Sequence, residues 1–271
     1  MRGTSSTSFG EVLQHAQGAF ASEGVQLGAI AEELFAVADA IDSSNQLVRL
    51  LSDAGRPGEV KEQAVRTLLG SKVSALALDL TVQVVRRRWS EQEDILDALE
   101  LLGVAAYLEQ ARREDRLSAV ESQLVQVSRM IDSTPELTTA LDGLRERPAE
   151  RSALVTDLLR TRTQELTAAI AARAVGRRSD TKPARRVEEF ARFAAEQRRR
   201  SVAQVASAVP LTDTQQARLA SLLAGIYGRE IQIDLQVDPT VVGGMRIQVG
   251  DDLYDATVLA RLAKARQQLV A

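Results

Sequence analysis

Apolar residues fall at alternating intervals of three and four along two stretches of this chain. Leu27, Ile30, Leu34, Val37 and Ile41 form one stripe, and Leu117, Val120, Leu124, Val127 and Ile131 form the other. A helix of 3.6 residues per turn that buries one face has this interval. The stripes lie 90 residues apart (Leu117 against Leu27), and each ends on Ile-Asp-Ser, at 41–43 and 131–133. Leu47 and Leu51 match Leu137 and Leu141; Val65 matches Val155, Leu68-Leu69 match Leu158-Leu159, and Arg87-Arg88 match Arg177-Arg178. Arg56-Pro57 and Arg147-Pro148 agree one residue out of phase. Shared helix ends and punctuation at one period point to a duplicated helical unit. The expected organisation is two tandem helical bundles, 1–100 and 101–201, each of five or six short helices. Polar and Pro/Gly stretches around 52–58 and 143–150 break the helices, and Gly176 to Pro183 reads as a loop.

From residue 202 the period changes. Ile231, Ile233, Leu235 and Val237 alternate with Gln232, Asp234 and Gln236, as do Met245, Ile247 and Val249 with their neighbours. That is the signature of half-buried strands. Pro210 ends an extended run, since it has no N–H to give a ladder. Thr212 and Gln215 have the spacing of a capping box that opens a helix. Asp238-Pro239, Gly243-Gly244 and Gly250-Asp251 read as turns, and a last helix is expected from about Asp255, with Val258, Leu262, Ala265 and Leu269 on one face. The fold class is therefore mainly α: two helical bundles followed by a small α/β module over 202–271.

Composition narrows the chemistry. The 271 residues contain no cysteine, which removes disulfides and thiolate chemistry, and one histidine, His15, which leaves a histidine triad or histidine-rich metal site unsupported. Aromatics make up 3 %, so the core must be aliphatic, and a net charge of −3 gives no global pull toward nucleic acid or anionic lipid. No apolar run reaches the roughly 18 residues of a membrane span, and the first residues lack the features of a signal or transit peptide. Asp251 and Asp252 lack the spaced ligands of a calcium loop. Neither catalytic residues, a metal site nor a bound cofactor is expected, and any membrane association must run through partners.

Three ordered motifs carry a resemblance. Ser207-Ala-Val-Pro-Leu-Thr-Asp-Thr-Gln215, Val237-Asp-Pro-Thr-Val-Val-Gly-Gly244 and Val249-Gly-Asp251 follow the pattern of the C-terminal part of the F-type ATP synthase delta subunit. The mitochondrial member of this family is the oligomycin-sensitivity conferring protein. Asp255-Ala256-Thr257 departs from the family's more usual Asp-Gly-Ser. So does the apparent second helical bundle, since the family's familiar members carry one. The resemblance implies a non-catalytic stator subunit, present once per synthase. Its bundle would receive the N-terminal helices of alpha subunits, and its C-terminal module would meet the C-terminal ends of the b subunits. The implied location is the cytoplasmic face of a bacterial plasma membrane, reached through the complex.

The implied alpha-binding groove is bordered by Phe9, Leu13, Ala16 and Phe20 on the first helix, with Leu76, Leu80 and Val84 on a neighbour. Ordinary core packing explains the same residues, and both readings stand at this point. Arg86-Arg87-Arg88-Trp89 and Arg198-Arg199-Arg200 are local basic runs that a nucleic-acid adaptor would use, with Trp89 stacking on a base. Nearby Glu188, Glu189 and Glu196 and the acidic chain oppose that alternative. A helical scaffold unrelated to ATP synthesis is a further alternative that periodicity alone leaves open.

Overall fold

The computed structural model describes residues 1, 3–177, 181–200, 202–227, 231–239, 241, 243–250, 252–255 and 257. The first repeat forms α1 (Thr4–Phe20), α2 (Leu27–Asp42), α3 (Asn45–Ser52), α4 (Gly58–Leu69) and α5 (Ala75–Arg86). The second forms α6 (Asp94–Arg113), α7 (Leu117–Ser133), α8 (Pro135–Gly143), α9 (Pro148–Leu159) and α10 (Glu165–Gly176), followed by α11 (Pro183–Arg200). Each of α6 to α10 begins 90 residues after its counterpart among α1 to α5 (Asp94 against Thr4, Glu165 against Ala75). Every residue of the two sequence stripes is buried, as their spacing demands.

Polar details repeat along with the helices. The Glu33 carboxylate on α2 accepts from Ser74 N–H (3.1 Å) and Ser74 Oγ (2.5 Å), holding the start of α5. Ninety residues on, the Gln123 amide oxygen accepts from Gln164 N–H and Thr167 Oγ1, both at 2.8 Å, holding the start of α10. Lys61 on α4 and Arg151 on α9 are likewise a matched pair of buried bases. Burial is the main influence on both, holding each below its ordinary pKa against the opposing pull of Asp53 and Asp142 respectively.

The repeats are not separate bodies. Residues 1–194 form one compact unit around a continuous core drawn from both. The expected boundary at residue 100 runs through α6, which serves both halves. This helix is apolar on nearly every side, with Ile95, Leu99, Leu102, Val104 and Ala106 shielded completely, as a helix at the centre of a bundle must be. Gly103 lets α2 approach it: a β-carbon there would press into the edge of the Phe35 ring.

One charge sits in this centre. Glu100 of α6 is 0 % exposed and meets Arg173 (2.8 Å), Arg177 (3.2 Å) and Arg186 (2.7 Å). Asp97, one turn earlier, pairs with Arg177 and with Arg186 (2.9 Å). Arg173 also grips Asp39 of α2 through two bonds of 2.8 Å and lies over the Phe35 ring. Arg186 reaches Glu189 at 3.2 Å and lies over Phe190. Three guanidiniums thus face four carboxylates and tie α2, α6, α10 and α11 together. Burial opposes the charged form of Asp97, but Arg186 and Arg177 prevail and hold its carboxyl below the usual range. Burial likewise opposes Arg186, and Glu100 and Asp97 more than compensate.

The second compact unit is residues 195–271. It contains β1 (Val202–Ser207), α12 (Asp213–Tyr227), β2 (Gln232–Val237), β3 (Met245–Val249) and β4 (Asp252–Asp255). The sheet order is β2-β1-β3-β4. β1 and β2 are parallel, which requires the crossover that α12 provides, and the other pairs are antiparallel. Ala203, Val205, Ile231, Ile247 and Val249 meet Leu223 of α12 in a small aliphatic core. Asp255 ends a strand here rather than opening a helix. The Asp-Leu-Tyr-Asp run of β4 carries no alternation, and all four residues are exposed, so its pairing with β3 left no sequence signal. The rest of the expected last helix, Val258 to Leu269, lies outside the described residues.

Removing the central charge leaves buried arginines without compensation, so Glu100→Gln should cost about 3–5 kcal/mol. Differential scanning calorimetry should show Tm falling by on the order of 10 °C. Because Asp97 titrates below its unfolded value, its contribution is complete above pH ~4 and fades as pH falls through the folded value. Asp97→Asn should therefore lower stability at neutral pH while flattening the acid limb of urea denaturation midpoints. At Gly103, alanine gains up to about 1 kcal/mol of helix propensity but overpacks Phe35 at a cost of about 1–3 kcal/mol. A net loss is expected for Gly103→Ala, partly recovered when Phe35→Leu is added, and simple additivity of the two would contradict the contact.

Candidate functional site

α1 and α5 pack side by side, and the structure places all seven groove candidates along them. Phe9, Leu13, Ala16, Phe20, Leu80 and Val84 are buried in the core, and Leu76 is half-buried against it. The Phe9 ring sits 6.0 Å from Phe193 of α11. The apolar face of α1 is therefore occupied by the fold itself, and the open seam between α1 and α5 is polar. Glu11 pairs with Arg87 at 2.9 Å, and His15 Nε2 meets the Asp79 carboxylate at 2.7 Å. These pairs are exposed and contribute little to stability. Sequence reading missed them, although Glu11 and His15 are four residues apart and hence share one outer face of α1.

A second surface lies between the repeats. A cleft of about 830 Å³ has α2 on one side and α9 and α10 on the other, with Tyr107 of α6 among its lining residues. Small side chains (Ala36, Ala168, Ala169 and Ala172) and the Phe35 ring form its apolar surface. Tyr107 donates its hydroxyl to the Glu32 carboxylate. Burial first, then that bond and the nearby Glu165 charge, push the phenol above its ordinary range, so it stays a donor. No sequence motif marked this cleft, because its walls come from helices more than a hundred residues apart.

In the α/β unit the motif residues serve the backbone. Thr212 N–H donates to Gln215 Oε1 (2.9 Å) and Gln215 N–H to Thr212 Oγ1 (3.3 Å), the reciprocal bonds of a capping box. Pro210 lies between β1 and this helix start. Asp238 N–H donates to Ser207 O, and its own carbonyl accepts from Val241 N–H, which turns the chain just before Pro239 leads out of β2. Gly243 and Gly244 have φ of 64° and 83°, a region that side chains with a β-carbon rarely enter. Gly250 turns β3 into β4; Asp251 lies outside the described residues. The outer surface of this unit carries Leu222 and Ile226, four apart on α12 and 58 % and 61 % exposed, and Leu253 on β4 at 58 %.

The basic runs are not arranged for nucleic acid. Trp89 is buried, and its indole N–H donates to Val84 O at 2.9 Å, so the ring has no face to offer a base. Arg86 is engaged by Glu59 and Glu62, and Arg87 by Glu11. Arg198 and Arg199 share a shallow cleft with Glu196 and Asp234, and the side chain of Arg200 lies outside the description. Among the described residues no group of three acidic or histidine side chains is placed to hold a metal ion, and no helix is long and apolar enough to cross a membrane.

Comparison with known proteins identifies the family. Residues 104–269 match the family described as ATP synthase delta (OSCP) subunit. That stretch takes in most of the second repeat and the α/β unit. The chain is 39 % identical to ATP synthase subunit delta of Streptomyces coelicolor over 250 residues, covering 92 % of this chain and 91 % of the relative. It is 38 % identical to ATP synthase subunit delta of Beutenbergia cavernae over 270 residues, covering 99 % of both. The first repeat is thus part of what these relatives share, and the chain belongs to the ATP synthase delta (OSCP) subunit family.

Proposed function

We propose that this subunit of an F-type ATP synthase is the non-catalytic connector of the stator. In this reading the helical body of residues 1–194 holds the catalytic head through the N-terminal helices of alpha subunits. The α/β unit holds the peripheral stalk through the C-terminal ends of b subunits. One copy serves each complex, at the cytoplasmic face of a bacterial plasma membrane, with no bound cofactor and no catalytic residue of its own. The observation that carries the reading is the family match across both parts of the chain, together with its division into two compact units.

The load on such a connector sets its required strength. Each proton delivers about 2.3 kcal/mol per 100 mV of membrane potential, and several cross for each ATP made. A contact of micromolar strength, about 8 kcal/mol, is marginal against that, whereas nanomolar strength, about 12 kcal/mol, is adequate. Several helix contacts on one stiff body reach it through effective concentration. Helix-in-groove recognition asks for apolar side chains beside polar rims. We place one alpha helix along the α1–α5 seam, where Leu76 supplies the half-buried apolar contact and the core residues Phe9, Leu13, Ala16, Phe20, Leu80 and Val84 fix the spacing of the two helices.

Calorimetric titration of the full chain with the alpha–beta head and with the C-terminal segment of a b chain, both from its own organism, tests the reading. Binding of both at nanomolar strength is expected, with the two events independent of order. Leu76→Lys should weaken head binding by about tenfold while leaving stalk binding unchanged and lowering Tm by no more than a few degrees. Failure of the intact chain to bind either component would sink the connector assignment. Deleting the first repeat is not a usable control, because it would remove the part of the shared core that α1 to α5 supply.

A further inference from the structure

We propose that the cleft between the two repeats is an additional docking site for a helical segment of the catalytic head, one that presents a small apolar face edged by a Lys or Arg. This inference rests on the connector reading above, and it concerns a site that neither repeat has alone. α2 of the first repeat supplies one wall and α9 and α10 of the second supply the other. The buried arginine network fixes their separation, since Arg173 joins Asp39 on α2 to Glu100 on α6.

Two features specify the occupant. Ala36, Ala168, Ala169 and Ala172 keep the walls low, so a helix backbone can lie close to them, where larger side chains would hold it away. Glu32 and Glu165 stand together at one end of the cleft, both close enough to influence Tyr107. Tyr107 donates to Glu32 as a neutral partner, and neither carboxylate forms an ion pair among the described residues. At the other end Asp39 is already paired with Arg173. Arg160 also lines the cleft but is already paired with Asp157 at 2.7 Å, and Ser152 and Thr156 add neutral polar groups to the α9 wall. The unmatched negative charge is thus confined to one end of a partly apolar cleft, which suits a cationic side chain beside an apolar stripe and fixes the direction of the segment. An acidic or uniformly polar segment would leave these carboxylates repelled or unmatched.

The test uses the full chain and the alpha–beta head from the same organism, with binding measured at low and high salt. Ala36→Trp fills the cleft from an exposed position on α2, and should weaken head binding at least tenfold. Glu32→Gln with Glu165→Gln keeps the Tyr107 bond but removes both charges. It should weaken binding severalfold at low salt, with the difference from wild type shrinking as salt rises. Both variants should keep the wild-type Tm and bind the b-chain segment normally, which separates a docking defect from a folding one. Unchanged head affinity in both variants would overturn the site while leaving the connector reading intact. Dimerisation of the free chain that Ala36→Trp abolishes would assign the cleft to a second copy and also overturn it. A wild-type chain that fails to hold the head would remove the connector reading and this site together.

Discussion

The helical body depends on a carboxylate that has no access to water. Glu100 lies on α6, at the centre of the core that both repeats share, and its two oxygens are bonded to Arg173 of α10, to Arg177 just beyond that helix and to Arg186 of α11. A charge buried this deeply is tolerated only when surrounding donors replace its hydration. Here Arg173, Arg177 and Arg186 do so, and Asp39, Asp97 and Glu189 in turn balance the arginines. Apolar packing would accept several nearby arrangements of these helices. The network accepts far fewer, because its bonds must all be met together.

That constraint explains how a duplicated unit became one body. At the matching surface of the first repeat, Arg87 pairs with Glu11 in solvent. Its counterpart Arg177, 90 residues later, is drawn into the buried cluster. The same residue type therefore has two environments, decided by whether another helix covers it. α6 follows the same logic. It stands where α1 stands in the first repeat, yet it is enclosed by both repeats and so lost the polar face that α1 keeps. The proposed connector role would favour such stiffness, because any yielding under torque would let the head turn before the stalk resists.

The sheet unit is held differently. Its core is small and aliphatic, and much of its specification lies in backbone devices: the Thr212–Gln215 box, the turn at Asp238, and the left-handed glycines at 243 and 244. These devices are local, which is why they form recognisable sequence motifs. The apolar residues left outside, such as Leu222 and Ile226, are not needed to close that core.

By itself the sequence determined everything that acts over a few residues or at a fixed period. The stripes of α2 and α7, the repeat of 90, the capping box and the glycine turns were all legible, because helix and strand periods and turn geometry are properties of neighbouring residues. The family resemblance was legible for the same reason, resting on contiguous motifs. Only the tertiary structure decided the rest. It showed that the two repeats share a core, that six of the seven residues assigned to a groove lie inside that core, and that Trp89 is buried. It also brought Asp39, Glu100 and Arg173 into one cluster and opened a cleft between walls from opposite repeats. None of these follows from local pattern, since an apolar or charged side chain looks the same in sequence whether a distant helix covers it or water does.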